Sequence, residues 1–509
     1  MAAGRELVSK ARPILAAALC ALFAAGGAQA AAYDPAAWRG DYAILKKGLE
    51  RSYANLAWFA SPRGGVNLPD LDRRTQQALA AARSDRQARA ALTAFLKAIP
   101  DAHLQLIDPK AAADLTAQDG PDHGLVGDRS GGPCDAYDLT EGLKTDFSLP
   151  FEQVGARRVS KAGALFATAL YDSPDGRRIG LVRIPSFEMR QYPDLCRGAA
   201  AQLQRSPENR GVDFDDFIQA GFLQFLAQAV DDLHRRGAQA VLVDVGGNPG
   251  GGDAGQIAAG LLAAAPLRSN PIWMVAGPPA SHMLDHQLSV LRAARDRARD
   301  PRSRRDLDAA IAAAAGRKAA IPARACDMSW VWRQQRPWAP RACSNLIDAG
   351  FLAGPAAQAD WRAYPERTTS VALYAPAALG PAQGRWTGPV YVLVDERTAS
   401  AAEMFGAILQ DNHAARLVGR HTLGAGCGNQ GPYRFVALPK TGASVRVSDC
   451  VLIRADGSDE VAGLEPDLRI DGGGGESHRA ADALSRITAD LRKSAPAAPP
   501  PQDTAATAR

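Results

Sequence analysis

Ser400 sits where a serine can become a nucleophile. It lies in Thr398-Ala-Ser-Ala-Ala-Glu403, after the apolar run Val390–Val394 and before Met404, Phe405, Ile408 and Leu409, which recur at helical spacing. An apolar run, a short polar turn and a helical repeat read as a buried strand feeding a helix, with Ser400 at the helix's N-terminal edge. First-turn amides point outward at such an elbow, and the positive end of the helix dipole favours a developing oxyanion. The same position suits a plain helix cap, so this stretch alone leaves both readings open. Two other stretches carry chemistry. His103 stands in the turn Ile99-Pro-Asp-Ala-His-Leu-Gln-Leu106, and an imidazole is the natural general base at neutral pH, although a lone histidine also serves structure. The loop Gly246-Gly-Asn-Pro-Gly-Gly-Gly-Asp253 follows a buried-strand pattern, and its glycines allow close backbone approach to an anion. A dinucleotide or phosphate loop is the rival reading; the G-x-G-x-x-G phase and a Gly-Lys-Ser/Thr are both missing.

The elements that must position these groups alternate. Ile179–Phe187 and Ala238–Val245 read as strands, Phe214–Leu233 as an amphipathic helix between them, and Ala254–Ala263 as the helix after the glycine loop. Strands alternating with helices predict an α/β core. Before it, Tyr42, Leu45, Leu49, Tyr53 and Leu56 recur at three- and four-residue steps, which predicts a small helical unit. Residues 280–385 interrupt the rhythm with an Arg/Asp/Ala-rich helical segment and then three tryptophans between Cys326 and Cys343, a lid over substrate or a plug on the core.

Four segments in order resemble the tail-specific (carboxyl-terminal processing) serine peptidases and their tricorn-core relatives. They are Ile179–Phe187; Val243-Asp-Val-Gly-Gly-Asn-Pro-Gly-Gly251; Thr398–Glu403 with Gly406, Asp411-Asn412 and Gly419-x-x-Thr422-x-Gly424; and Gly463-Leu-Glu-Pro-Asp467. The resemblance implies a ClpP/crotonase-like βαβ core, Ser400 as nucleophile, and an oxyanion hole from the amides of Gly250, or its neighbour, and Ala401. In the processing branch a lysine follows Thr-x-Gly, whereas Ala425 stands there in this chain, so no Ser-Lys dyad is available at that place. The tricorn-like branch uses a histidine in an Asp-Gly-His-like motif and a glutamate before Gly-x-x-Pro-Asp, which Asp101-Ala-His103 and Glu460-Val-Ala-Gly463 match. The implied chemistry is acyl transfer on Ser400 with His103 as base then acid and Glu460 in support. Asp459 and Glu465 compete for the Glu460 role, and Asp101 is read as holding the turn. The processing branch usually carries a peptide-binding PDZ domain; no carboxylate-binding glycine loop for one is evident between 107 and 178.

On this reading residues 1–30 are a signal peptide, 33–110 a helical domain and 111–178 a loop- and β-rich segment. Residues 179–279 and 386–475 form the catalytic core around the 280–385 insertion, and 476–509 a short helix with a disordered Pro/Ala tail. Arg5, Lys10 and Arg12 before the apolar run Ile14–Ala25, then Ala28-Gln-Ala30, are the marks of cleaved export, so the expected location is periplasmic or secreted. Cys20 leaves with the signal, and the run is too short to span a membrane. Six cysteines remain and predict neighbour pairing: Cys134 with Cys196, Cys326 with Cys343, Cys427 with Cys450.

A chain of 509 residues with 46% hydrophobic and 22% charged residues is ordinary globular material for two or three domains. A net charge of +5 without a basic run argues against nucleic acid, and no spacing marks a metal or cofactor site. The expected partner is a peptide or unfolded protein, with oligomeric state unassigned. Two alternatives stand: a non-catalytic binder of apolar ligands or peptides on the same fold, and a Cys427 nucleophile with His413 or His421, which a disulfide to Cys450 would remove.

Overall fold

The computed structural model describes residues 33–108, 110, 112–113, 134, 143–161, 163–205, 214–252, 254–321, 326–339, 344–430, 434–470 and 473–494. The expected signal peptide and the C-terminal tail beyond 494 lie outside them.

The chain begins with α1 (Pro35–Ser52), α2 (Leu68–Ala81) and α3 (Asp85–Lys97), capped at their N-termini by Asp34, Asn67 and Ser84. β1 (Gln105–Ile107) follows the His103 turn. Next come β2 (Arg157–Arg158), β3 (Thr168–Asp172), β4 (Arg178–Arg183), α4 (Pro193–Arg205), α5 (Phe214–Arg235), β5 (Ala240–Asp244) and α6 (Ala254–Ala259). The middle of the chain gives β6 (Pro271–Val275), α7 (Pro278–Arg297), α8 (Pro301–Ala319) and β7 (Leu346–Phe351). The last part gives β8 (Val390–Val394), α9 (Ala401–Asp411), β9 (Arg416–Gly419), β10 (Arg434–Leu438), β11 (Ala443–Val447), β12 (Cys450–Leu452), β13 (Leu468–Arg469) and α10 (Glu476–Ser494).

The central sheet has seven strands in the order β13-β9-β8-β5-β4-β3-β2. β4, β5, β8, β9 and β13 are parallel, and β3 and β2 close one edge antiparallel. Every residue of β5 and β8 is buried, as a strand covered on both faces must be. One face packs on α4, α5, α6 and α9 through Phe187, Phe222, Val243, Phe405 and Leu417. The other is covered by α10, whose Leu484 and Ile487 meet Leu181, Leu242 and Leu393. The short helix expected in the segment after residue 476 is therefore 19 residues long and closes the second layer.

A second core joins distant parts of the chain. Leu45, Leu49 and Phe95 from the N-terminal helices share it with Val436 and Val445 of the small sheet β1-β11-β10. The tryptophan segment belongs to it too: Trp330 and Trp332 are buried there, and Trp332 Nε1 donates to Glu50 at 2.8 Å. These two rings sit as a plug between the helices. The α7–α8 hairpin is stitched in by a third sheet, β12-β6-β7, in which strands on either side of it pair antiparallel. Disulfides Cys134–Cys196 and Cys427–Cys450 are formed, and Cys326 is disulfide-bonded, while Cys343 lies outside the described residues.

Candidate active site

β5, β8 and β9 are neighbours in the sheet and run parallel, so the loops leaving their C-terminal ends meet at one edge. That edge is where open α/β sheets place their ligands. The three loops are the glycine loop from Gly246, the elbow at Ser400, and the Gly419–Gly428 segment.

The elbow is over-determined. Thr398 Oγ1 accepts from the Asp395 amide at 2.9 Å and lies 3.1 Å from the Val245 carbonyl, to which it donates. The Ala399 amide donates to the Asn248 carbonyl, and the Leu423 amide to the Thr398 carbonyl. Between these ties Ser400 adopts φ 52° and ψ −124°, in the region that residues with a Cβ avoid. Such a conformation persists only where its surroundings enforce it. Ser400 is the N-cap of α9, in a capping box with Glu403. The Ala401 amide, in the first turn of α9, makes no hydrogen bond among the described residues.

The glycine loop lies directly against it. A Cβ added to Gly250 would stand 2.7 Å from Ser400 Cβ and 2.9 Å from the Ala401 nitrogen, and Gly250 has φ 99°. The Gly250 amide itself donates to Asn248 Oδ1 at 2.8 Å. Its N–H is therefore spent inside the loop, whereas the Gly251 amide makes no hydrogen bond among the described residues. Of the Gly250-or-neighbour alternatives the neighbour has the open donor. A cavity of about 580 Å³ opens beside this loop, lined by Lys144, Phe147, Arg183, Gly247, Pro249 and Arg397 among others.

His103 arrives from the other sheet. β1 follows it at once and pairs with β11, which brings the His103 turn against residues 425–428 and Ser448. Nδ1 lies 3.0 Å from the Ala425 carbonyl. A carbonyl only accepts, so Nδ1 carries a proton, and in the neutral ring Nε2 then holds the lone pair. Nε2 faces Gly428, where an added Cβ would be 2.7 Å away. The position of the absent lysine thus supplies a backbone acceptor that sets the tautomer. Among the described residues no hydrogen bond joins Ser400 Oγ to His103.

Glu403 links the two. Its buried carboxyl accepts from the Ser400 amide at 2.9 Å, Thr422 Oγ1, the Gly424 amide at 2.8 Å, the Ala425 amide at 2.9 Å and the Gly426 amide at 3.3 Å. One side chain therefore ties the elbow to the loop that holds His103. Residue types alone do not announce this role, although Ser400-x-x-Glu403 has the spacing of a capping box.

Glu460 is buried and both of its carboxyl oxygens lack a hydrogen-bond partner among the described residues. Burial pushes its pKa well above the ordinary carboxyl range, Arg454 opposes, and the charges of Glu403, Asp411 and Asp459 add to the rise. It packs beneath the loop, since a Cβ on Gly426 would meet its carbonyl carbon and Val461. Its carboxyl is not hydrogen-bonded to His103. Of its competitors, Asp459 is buried and accepts from the Val461 amide, while Glu465 is a surface residue paired with Arg469. Cys427 is held in its disulfide to Cys450, which removes it as a nucleophile. Among the described residues no group of three His, Cys, Asp or Glu side chains is placed to hold a metal.

A serine on a strained strand-to-helix turn, at the carboxyl edge of a parallel sheet beside a glycine loop, defines a serine-type peptidase of the α/β class. The chain belongs to peptidase family S41, which matches residues 178–470, more than half of it. Among solved structures, mature CPAF complexed with lactacystin is similar over 90% of this chain and 98% of that chain, with 14% identity and a TM-score of 0.54. Mature CPAF alone is similar over 90% and 96%, with 15% identity and a TM-score of 0.50. The tricorn protease matches over 90% of this chain and 36% of its own, with 11% identity and a TM-score of 0.32. At these identities the CPAF likeness speaks for the fold. Comparison with curated proteins gives no match. No helix among the described residues is long and apolar enough to cross a membrane.

Proposed function

We propose that the protein is an exported serine peptidase that cuts peptides or unfolded chain ends through an acyl-enzyme on Ser400, with His103 as general base. The observation that carries the reading is the strained Ser400 against Gly250, with the free Ala401 amide beside it. His103 Nε2 takes the Ser400 proton as Oγ attacks the scissile carbonyl. The oxyanion is received by the Ala401 amide and by the glycine loop through Gly251, next to Gly250. As the C–N bond breaks, Nε2–H protonates the leaving amine, and water then repeats the cycle in reverse to release the acid. Glu460 supports the site from beneath the Gly424–Gly428 loop. Catalytic pairs in unliganded enzymes are often loose and tighten on substrate, so Ser400 and His103 meet when a peptide is bound. The cavity beside the glycine loop has room for a substrate side chain.

A fluorophosphonate probe tests the assignment. It labels the wild-type protein at Ser400, Ser400→Ala takes no label, and peptide turnover disappears with it. Full peptidase activity in Ser400→Ala would sink the mechanism.

A further inference from the structure

The carboxylate nearest the imidazole is Asp101. Its Oδ1 stands 3.6 Å from His103 Nδ1 and accepts the His103 backbone N–H at 2.8 Å. This is an Asx turn, in which an aspartate bonds the amide two residues on; the closure that forms the turn also brings the carboxylate to the ring carried by that residue. The other oxygen, Oδ2, accepts from Tyr53 Oη at 2.8 Å, Asn55 Nδ2 at 2.9 Å and Ser448 Oγ at 3.1 Å. These donors come from beyond α1 and from beyond β11, so two separate parts of the chain converge on one buried carboxyl group.

Burial alone would favour its protonated form. The His103 ring, by hydrogen bond and by charge, together with the Asn55 amide, outweighs burial and holds the Asp101 pKa below the usual value. The other titratable groups facing this pocket are shifted toward their neutral forms. Burial, and then the Asp101 charge, push the Tyr53 phenol up. Asp459 is pushed well up by burial, with the Asp101 charge adding to the effect. Asp101 is the anion of the pocket.

We propose that Asp101 is the positioning residue that, together with the Ala425 carbonyl, fixes the Nδ1–H tautomer of His103 and stabilises the imidazolium formed when Nε2 takes the Ser400 proton. The inference rests on the Ser400 and His103 assignment above. The proton balance is simple: one proton passes from Oγ to Nε2 and back out to the leaving amine, Nδ1 keeps its own, and Asp101 takes none. Glu460 has no hydrogen bond to the ring, and the charges that act on it are those of Arg454, Glu403, Asp411 and Asp459.

The test is the rate of fluorophosphonate labelling at Ser400 as a function of pH, in wild type, Asp101→Asn and Glu460→Gln, with folding checked by thermal melting. Asp101→Asn labels about 100-fold or more slowly at neutral pH, and the acid limb of its rate moves to lower pH by on the order of one unit. Glu460→Gln, whatever its rate, keeps the limb in place. A role confined to holding the turn lowers the amount of labelled protein without moving the limb, and that result overturns the proposal. So does a limb moved by Glu460→Gln instead. If Asp101→Asn does not fold, Ser448→Ala carries the test: it strips a donor from Oδ2 without touching the ring, makes the carboxylate more basic and moves the limb to higher pH, and an unmoved limb overturns the idea. Wild type that takes no label at Ser400 refutes the nucleophile assignment itself, a separate failure from an unshifted Asp101→Asn.

Discussion

At Gly250 there is no room for a methyl group beside Ser400. An alanine there would put its Cβ 2.7 Å from Ser400 Cβ and 2.8 Å from the Ala399 carbonyl, at φ 99°. Strain of that kind costs about 1–3 kcal/mol, and the displaced elbow would misaim the Ala401 amide. Gly250→Ala is expected to lose about 100- to 1000-fold in kcat, the cost of one oxyanion donor, with KM little changed. Steady-state kinetics on a peptide substrate checks it; a kcat within a few-fold of wild type would mean that the loop does not face the reacting carbonyl. The strand-to-helix elbow at Ser400 and the turn at His103 were legible in the sequence because each is short and chemically distinctive. The hydrogen bond that occupies the Gly250 N–H was not, since Asn248 Oδ1 takes it through a side-chain turn that residue types do not announce.

Between the elements, Glu403 does what no single motif could show. Its carboxyl gathers the Ser400 amide and three amides of the Gly424–Gly426 loop, and that loop presents the Ala425 carbonyl to His103. Glu403→Gln turns an NH2 toward these donors, so unfolding stability is expected to fall by about 2–4 kcal/mol and Ser400 labelling to slow with it. Denaturant melts and labelling rates on the same preparation check both. Stability lost with labelling intact would uncouple the loop from the site. The strands of the core were readable from continuous apolar runs: β8 is Val390–Val394 as its pattern predicts, and β5 falls inside Ala238–Val245. β7 was hidden, because Leu346-Ile-Asp-Ala-Gly-Phe351 is short and mixed, and its pairing with β6 joins segments that are remote in sequence. Within the segment 111–178 expected to be loop- and β-rich, Phe151–Val154 is a 3-10 turn and Arg157–Arg158 joins the sheet edge. Its apolar residues Phe147 and Phe151 serve the α10 face instead, a packing role that alternation mimics.

Across the whole molecule, the histidine and the serine are carried by segments that pack into different cores, and the acids buried between them make stability depend on pH. Glu460 and Asp459 both have pKa values raised above their ordinary range by burial. A carboxyl raised in the fold stays protonated while its unfolded counterpart ionises, so its contribution is fully present below the unfolded pKa, about 4, and is lost as pH rises toward the folded value. Glu460→Gln removes that loss. The variant is expected to match wild type near pH 4 and to melt at higher temperature than wild type at pH 8, by scanning calorimetry. A lower melting temperature at pH 8 would mean that Glu460 is ionised and paired. The central claim is that Ser400 is activated by a histidine about 300 residues upstream. Intact-protein mass spectrometry after fluorophosphonate treatment, with the adduct mapped to its peptide, tests it most directly. Wild type should gain one adduct at Ser400 and His103→Gln should gain it at least 100-fold more slowly; equal labelling of the two proteins, or an adduct on another residue, would contradict the account.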